Sequence, residues 1–326
     1  MAIRHYCTLF DRNYLFKGVA MLRSLVRHSK EANIYVLCID EVTGALLRKL
    51  EIPGVHTISL AEVETSEVLA AKKNRSIAEY CWTLSSVTLW HVIQSVPSVD
   101  LLTYLDADLM FFSDVEPVFE EMGSASILAI EHRYPPERKR FEIYGKFNVQ
   151  WVSFRRDRDG LDCLKTWRAQ CLDWCYARIE DGKHGDQMYL DAWPELYGTA
   201  FHSLQNVGAG LAPWNYSNYK ISQEDNCILV DGTKLIFYHF HQFQILEGGG
   251  FKHFSTRYFE GAKPPERVYE LYWQSIRSAM DAVRLIEPEF SAGIRAASTI
   301  RFRSMASRLL PTKLKGALKR VGLRTW

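Results

Sequence analysis

Apolar runs and amphipathic segments alternate along the first two-thirds of the chain. Runs typical of strands that are buried on both faces cover 4–10, 34–39, 55–60 and 101–105. Segments in which apolar residues recur every three or four positions, as in a helix with one buried face, cover 14–28, 44–50 and 76–93. This alternation predicts an α/β fold, because right-handed crossovers join such strands into a mainly parallel sheet with helices on both faces. Ligands bind such sheets outside the carboxyl ends of the strands.

The second half of the chain is less regular. Further strands are predicted over 126–131, 147–154 and 235–240. Further helices are predicted over 160–179 and 266–285, and Pro311 divides a basic amphipathic tail, 291–326, into two short helices. We therefore expect one Rossmann-like domain over 1–260 and a helical carboxyl-terminal extension over 261–326.

Composition narrows the class of protein. The chain has 326 residues, of which 47% are hydrophobic and 24% charged, which suffices for a large core and excludes a disordered or collagen-like protein. No run approaches about 18 consecutive apolar residues, and the first residues lack the apolar segment of a secretory signal. The seven cysteines include no CxxC pair, so we expect reduced thiols in a cytoplasmic protein.

Charge is distributed unevenly along the chain. The formal net charge is +2, but nine basic residues and no acidic one follow Glu289, so that 31 basic residues oppose 38 acidic ones in the remainder, a net charge of −7. In 291–326 basic and apolar residues alternate, which fits the surface of an anionic membrane. A helix that docks on a partner protein and a solvated tail are the alternatives. Nucleic acid is not expected as a partner, because the rest of the chain is acidic. The basic tail predicts a cytoplasmic protein that is peripheral to the inner face of the membrane.

The clearest chemical motif is the pair Asp106 and Asp108, which follows the apolar run 101–105. Two residues apart on an extended chain, both side chains point to the same side. Adjacent carboxylates repel each other, and burial adds to the cost of keeping both ionised. A hard divalent cation such as Mn²⁺ or Mg²⁺ removes both penalties and also binds phosphate oxygens. The alternative is a solvated turn at the strand end, where aspartate is common.

The stretch Tyr104-Leu105-Asp106-Ala107-Asp108 resembles the metal-binding motif of GT-A glycosyltransferases. It is most similar to that of the retaining family that includes glycogenin and bacterial lipopolysaccharide galactosyltransferases. The resemblance extends, in the order of its motifs, over about residues 1–255. It implies a GT-A fold with Asp106 and Asp108 as metal ligands beside a nucleotide sugar.

Other short segments resemble the same family and imply further site residues. Those implied to contact the nucleotide sugar are Thr8, Phe10, Asn13, Asp106, Asn148 and Lys252. Those implied beside the anomeric carbon, as catalytic residues, are Asp186 and Gln187. Gln150 stands where the family has a glycine that approaches the donor sugar. Lys252 follows a run of three glycines, and a solvated lysine on a flexible loop is the alternative there.

Two histidines, His239 and His241, lie at the end of the run 235–240 and share one face if the strand continues. Imidazole suits Mn²⁺ better than Mg²⁺, and a third protein ligand fixes the cation while a diphosphate takes other positions. The resemblance favours His239, with His241 as the rival ligand, and a core histidine is the alternative for each. Trp214 either stacks on a sugar ring or lies in the core.

The predicted activity is that of a metal-dependent glycosyltransferase. It moves a sugar from a nucleotide diphosphate, expected to be a UDP-sugar, to a hydroxyl of a glycan, lipid-linked or protein acceptor in cell-envelope or lipopolysaccharide synthesis. Asp186 is expected to stabilise the cationic sugar or to act as base or nucleophile, and the resemblance favours retention of configuration. A nucleotidyltransferase that forms sugar nucleotides and a non-catalytic glycan-binding protein are the alternatives on the same fold.

Overall fold

A seven-stranded sheet forms the centre of the structure, a computed structural model that describes residues 3–225, 227–254 and 263–296. The strands are, in spatial order, β3 (Val55–Ser59), β2 (Ala32–Cys38), β1 (Arg4–Phe10), β4 (Leu101–Leu105), β7 (Phe147–Arg155), β6 (Ile127–Glu131) and β8 (Phe201–Ser203). Strands β3, β2, β1 and β4 run parallel, and β7 lies antiparallel to β4 and β6. Strand β8 pairs parallel with β6. The predicted α/β fold with a mainly parallel sheet is confirmed.

Helices cover both faces of this sheet. One face carries α1 (Leu15–His28), α2 (Glu41–Leu50) and α9 (Glu266–Ile286). The other carries α3 (Leu60–Val63), α4 (Ser66–Lys72), α5 (Ile77–Ser95) and α7 (Arg158–Asp173). Tyr6 and Phe10 of β1 belong to the core under the first set, and Cys7 and Leu9 to the core under the second. Both faces of β1 are therefore buried, as an uninterrupted apolar strand requires.

Polar residues set where the main helices begin. Asp40 caps α2 and Asp157 caps α7, in each case by accepting a hydrogen bond from a backbone N–H three residues on. Helix α5 begins with a capping box, in which the Glu79 carboxylate accepts from the Ser76 backbone N–H at 2.8 Å and the Ser76 hydroxyl accepts from the Glu79 N–H. The shorter helices are α6 (Glu116–Met122) and α8 (Trp193–Tyr197), with 3₁₀ segments at Arg12–Tyr14, Pro136–Tyr144, Met188–Ala192, Gly198–Ala200 and Tyr216–Asn218.

A second, three-stranded sheet packs on the central one beside the end of β4. It consists of β5 (Leu109–Phe111), β13 (Phe237–His239) and β9 (Ala209–Leu211), with β13 in the middle. Strand β13 is antiparallel to β5 and parallel to β9. Trp151 of β7 stacks on Phe237 of β13 with ring centroids 5.3 Å apart, which joins the two sheets. Because β5 begins one residue after Asp108, this sheet brings a late strand beside the aspartate pair.

Two more small sheets complete the described part of the chain. One contains β10 (Ile221–Glu224), β11 (Cys227–Val230) and β12 (Thr233–Lys234). The other contains β15 (Gly250–Lys252), β14 (Gln244–Leu246) and β16 (Ile294–Arg295), in this spatial order. Strand β16 pairs parallel with β14, so the chain returns after α9 to the neighbourhood of β13 and β14.

The predicted domain boundary at residue 260 lies outside the described residues, and so does 297–326 of the basic tail. Helix α9, the described helix of the predicted extension, contributes Val268, Tyr272 and Ile276 to the same core as α1 and α2. The division at 260 therefore stays a prediction. Among the helices that the structure describes, none has both the length and the apolar character that crossing a bilayer requires.

Candidate functional site

The side chains of Asp106, Asp108 and His239 meet at the carboxyl end of β4. Asp106 is the first residue after this strand, and its backbone N–H donates to the Gln150 carbonyl at 3.1 Å. His239 is the last residue of β13 and lies opposite Leu109 in the antiparallel ladder with β5. The His239 Nε2 lies 3.0 Å from Asp108 Oδ1 and 3.7 Å from Asp106 Oδ2. Strand pairing thus brings His239, which is remote in sequence, beside the aspartate pair.

This cluster has the composition of a divalent metal site. One donor atom from each of the three side chains lies within 4.8 Å of the other two. Asp108 and His239 are only 6% and 3% exposed, and His239 Nδ1 is buried without a hydrogen-bond partner among the described residues. Two carboxylate oxygens and an imidazole nitrogen are donors that Mn²⁺ accepts, with phosphate or water oxygens in its other positions. The residues present therefore fit a divalent cation.

Burial and mutual charge dominate the titration of the cluster. Burial raises the pKa of Asp106 to about 6, against the opposing charge of His239 and together with the charge of Asp108. Burial also acts to raise the pKa of Asp108, but the charge of His239 and its hydrogen bond outweigh burial and hold this pKa below its ordinary value. Burial acts to lower the pKa of His239, but Asp108 outweighs it and the pKa is raised. The aspartates are thus buried carboxylates that a cation stabilises.

His241 lies two residues beyond the end of β13, so the strand does not hold the two histidines on one face. Its ring is edge-on to that of His239, with centroids 5.6 Å apart, and to that of Trp214 at 5.5 Å. Trp214 is 2% exposed and also packs edge-on against His239 at 5.1 Å, so its indole belongs to the wall of the cluster. Within the described residues, the group of close donor atoms includes His239 and not His241.

A hydrogen-bonded network holds the side chain of Gln187. The Asn148 Nδ2 donates to Gln187 Oε1 at 3.2 Å and also contacts His132 Nε2 at 3.1 Å. The Gln187 Nε2 donates to the Tyr144 carbonyl at 2.7 Å. The Asn148 Oδ1 accepts from the backbone N–H of Gln150 at 2.9 Å. Both ends of the Gln187 amide are therefore fixed, and Asn148 links it to β7.

Asp186 is a buried carboxylate that interacts electrostatically with Asp106 of the cluster. It is 7% exposed and follows Gly185, whose φ of +57° lies in the left-handed region. Trp167 Nε1 of α7 donates to the backbone carbonyl of Asp186 at 2.8 Å, which anchors this turn on α7. Burial, followed by the negative charge of Asp106, raises the pKa of Asp186 to about 7. The charge interaction with Asp106 joins Asp186 and the three-residue cluster into one candidate active site.

Of the residues of the first strand segment that are implied to contact the nucleotide sugar, most are buried. The Thr8 side chain is fully buried, and Phe10 is 3% exposed. The Phe10 ring packs on α1 so tightly that a Cβ added to Gly18 would lie 2.5 Å from it. Asn13, in the 3₁₀ turn after β1, is exposed, and its backbone N–H donates to the Asp11 carboxylate that caps this turn. Of the three implied contacts, Asn13 is the one whose side chain is exposed, and its Nδ2 donates to Asp11 Oδ2 at 2.8 Å.

Sequence reasoning singles out Lys252 as a cation of the site, but not Lys17 or Arg295. Lys252 lies half-buried in β15, opposite Gln244. Lys17 of α1 is buried, and Asp108 acts on it electrostatically. Arg295 of β16 acts electrostatically on Lys17. No sequence signal marks Lys17, because residues 15–22 of α1 are all buried and the helix has no solvated side there.

Comparison with known proteins gives both relatives and a fold. No model of a known protein family matches the chain. The uncharacterized Bacillus subtilis protein YfnD is 32% identical over 299 residues, which cover 90% of this chain and 95% of YfnD. The uncharacterized YfnF of the same organism is 32% identical over 296 residues, which cover 88% and 96% of the two chains. Among solved structures, the Streptococcus pneumoniae glycosyltransferase GlyE matches with a TM-score of 0.51 and 16% identity, over 87% of this chain and 62% of GlyE. The described residues thus have the GT-A fold.

Proposed function

Because this chain belongs to the same family as YfnD and YfnF of Bacillus subtilis and has the GT-A glycosyltransferase fold, we propose that it is a metal-dependent glycosyltransferase. Its donor is a UDP-sugar, and its acceptor is a hydroxyl of a glycan, lipid-linked or protein substrate. The observation that carries this proposal is the cluster of Asp106, Asp108 and His239 at the end of β4, with the buried Asp186 in electrostatic contact. Ligands bind at this edge of α/β sheets.

The reaction breaks the bond between the anomeric carbon and a diphosphate oxygen and forms a bond from that carbon to the acceptor oxygen. Asp106, Asp108 and His239 would hold Mn²⁺ or Mg²⁺, which supplies Lewis-acid stabilisation of the charge on the departing diphosphate. The carboxylate of Asp186 opposes the positive charge that develops at the anomeric carbon. Gln187, with its amide fixed by Asn148 and the Tyr144 carbonyl, orients the sugar. Retention of configuration is part of the proposal.

Release of UDP from a panel of UDP-sugars in MnCl₂ tests this proposal, with Asp108→Asn as the active-site variant. Asp281→Asn, which removes an exposed carboxylate on α9, is the matched control. We expect Asp108→Asn to lower turnover by about 10²–10³-fold, because it removes a ligand of the cation that neutralises the leaving group. Asp281→Asn should leave turnover unchanged. Electron paramagnetic resonance of free Mn²⁺ shows in parallel whether the variant has lost its metal. Equal turnover in wild type and Asp108→Asn would refute the metal-dependent mechanism.

The products separate this proposal from its alternatives. A nucleotidyltransferase would release pyrophosphate from a nucleoside triphosphate and a sugar phosphate, whereas the proposed enzyme releases UDP. A non-catalytic glycan-binding protein would bind no UDP, with or without Mn²⁺. Isothermal titration with UDP and analysis of the released phosphates therefore distinguish the three.

The basic tail supports a location for the reaction. The excess of cations in 291–326 would hold the enzyme at the anionic inner face of the cytoplasmic membrane, at about 1 kcal/mol for each cation near the surface. A cytoplasmic enzyme at this face would reach lipid-linked acceptors of cell-envelope or lipopolysaccharide synthesis.

A further inference from the structure

Lys17 is a buried cation beside the candidate active site. It lies in the first turn of α1, is 8% exposed, and its Nζ is 4.3 Å from the centroid of the Tyr14 ring. Lysine is almost never buried to this extent unless its charge has a partner. Lys17 forms no ion pair with another residue that the structure describes. Its charge is therefore available to a ligand.

Lys17 interacts electrostatically with Asp108 of the cluster. Burial lowers the pKa of Lys17, and the negative charge of Asp108 opposes this effect. Helix α1 also packs on β5, which begins one residue after Asp108, since the Phe111 N–H donates to the Ser24 hydroxyl of α1 at 3.1 Å. Lys17 and Asp108 therefore lie on neighbouring elements without forming an ion pair. With a divalent cation bound at Asp108, the Lys17 ammonium and that cation are two positive charges that can bind one anion between them.

Arg295, near the end of the described chain, lies close to the start of helix α1. Gly293, two residues before it, packs directly on the turn after β1, since a Cβ added there would lie 2.2 Å from the Asn13 carbonyl oxygen. The side chain of Arg295 is exposed and forms no ion pair within residues 3–225, 227–254 and 263–296. Burial, together with Asp108 and Asp106, raises the pKa of Tyr14, whereas the charge of Arg295 opposes this rise. Arg295 therefore lies near both Tyr14 and Lys17.

We propose that Lys17 and Arg295 together bind the diphosphate of the nucleotide donor, with Lys17 on the inner side and Arg295 on the solvent side. This inference rests on the proposed function. A divalent cation at Asp106 and Asp108 neutralises the two carboxylates. The positive charges of Lys17 and Arg295 then have no negative charge to oppose them. Diphosphate oxygens supply that counter-charge, because an ammonium binds phosphate as a point charge and a guanidinium binds it through two parallel hydrogen bonds.

The proposal differs from the implied role of Lys252. Strands β15 and β16 flank β14 on opposite sides, so that Lys252 and Arg295 lie two strands apart. Lys252 is opposite Gln244, and Arg295 is opposite Leu246. The chain thus offers two alternative cation sets for one diphosphate, and they can be separated by substitution.

Isothermal titration with UDP and with UMP, both in MnCl₂, tests the proposal on the full chain. Lys17→Gln should weaken UDP binding by about 10- to 100-fold, as expected for loss of a charge-assisted hydrogen bond, and should weaken UMP binding less. Lys17→Arg should restore most of the affinity, because it keeps the charge. Arg295→Gln, at an exposed position where a folding defect is not expected, should weaken UDP binding by about threefold or more. Lys165→Gln, at an exposed position of α7, is the matched control and should bind as the wild type.

Several outcomes would overturn the proposal. Equal loss of UDP and UMP affinity in Lys17→Gln, with a lowered melting temperature, would mean that Lys17 is only a structural counter-charge. Loss of UDP affinity in Lys252→Gln, but not in Lys17→Gln or Arg295→Gln, would assign the diphosphate to Lys252. A wild type that binds UDP with Mn²⁺ while both variants do so equally well would refute this inference and leave the proposed function intact. A wild type without any affinity for UDP in Mn²⁺ would refute both.

Discussion

Replacing Gly293 with alanine should displace the segment that carries Arg295. Gly293 has a φ of +83°, and a Cβ at this position would lie 2.2 Å from the carbonyl oxygen and 3.0 Å from the carbonyl carbon of Asn13. Real Cβ atoms do not come within 3.0 Å of another heavy atom, so one of the two backbone segments must move by at least about 0.8 Å. Gly232 offers a matched control, because its φ is +81° and nothing lies within 4 Å of the added Cβ.

The loss of stability in Gly293→Ala has two contributions, the left-handed backbone and the steric clash. The left-handed φ costs about 1 kcal/mol for any residue with a Cβ, and it applies to both Gly293→Ala and Gly232→Ala. The clash adds about 1–3 kcal/mol at Gly293 alone, as overpacking does elsewhere. The nearby edge-to-face contact of Phe290 with Phe16, with centroids 5.3 Å apart, resists the movement and makes relaxation costly. We expect Gly293→Ala to lose about 2–4 kcal/mol of stability and Gly232→Ala about 1 kcal/mol.

Urea denaturation of the two variants measures this difference, and titration with UDP in MnCl₂ measures its effect on the site. Gly293→Ala should bind UDP several-fold more weakly than Gly232→Ala, because Arg295 moves with its segment. Equal losses of stability in the two variants, with equal UDP affinities, would refute the close packing of 291–295 on the turn after β1.

Two further predictions concern the metal ligand and the tail. His239→Ala should lower Mn²⁺ affinity by at least about tenfold and His241→Ala should change it little, because only the former removes a donor atom from the cluster; electron paramagnetic resonance of free Mn²⁺ measures both, and a larger loss in His241→Ala would exchange their roles. Full-length protein should co-sediment with anionic vesicles at low salt and not at high salt. Replacing the four basic residues of 313–320 with glutamine should reduce pelleting severalfold, and unchanged pelleting would contradict membrane contact.

Local patterns predict the elements that lie deepest in the fold. Residues 101–105 are apolar without interruption and form β4, and the carboxylates after it lie where parallel sheets bind ligands. In less regular stretches the sequence pattern and the structure differ. The pattern does not predict helices α3 and α4, because 60–75 is mostly polar and the caps at Ser59 and Thr65 resemble turn signals. Helix α7 ends at Asp173 and not near 179, since Trp174 is extended and turns into the core.

The site is predictable only in part, because it combines residues that are remote in sequence. The aspartate pair is visible in the sequence because its two members are adjacent. Its third member, His239, depends on the register of β13 against β5, which no local pattern specifies. Residue chemistry offers both His239 and His241 as ligands, and the family resemblance favours His239. The sequence does not mark Lys17, because the first half of α1, residues 15–22, is buried on all sides and a polar position there resembles the solvated face of an amphipathic helix.

The register of β13 against β5 also has a consequence for biosynthesis. A nascent polypeptide that has emerged as far as β5 already carries both aspartates, but His239 follows Asp108 by more than a hundred positions. Closing such a long loop is slow, and the late strand is added only when most of the molecule has been made. Binding of the proposed divalent cation would therefore require that the polypeptide has reached its finished topology, and fragments released early from the ribosome would lack the histidine ligand.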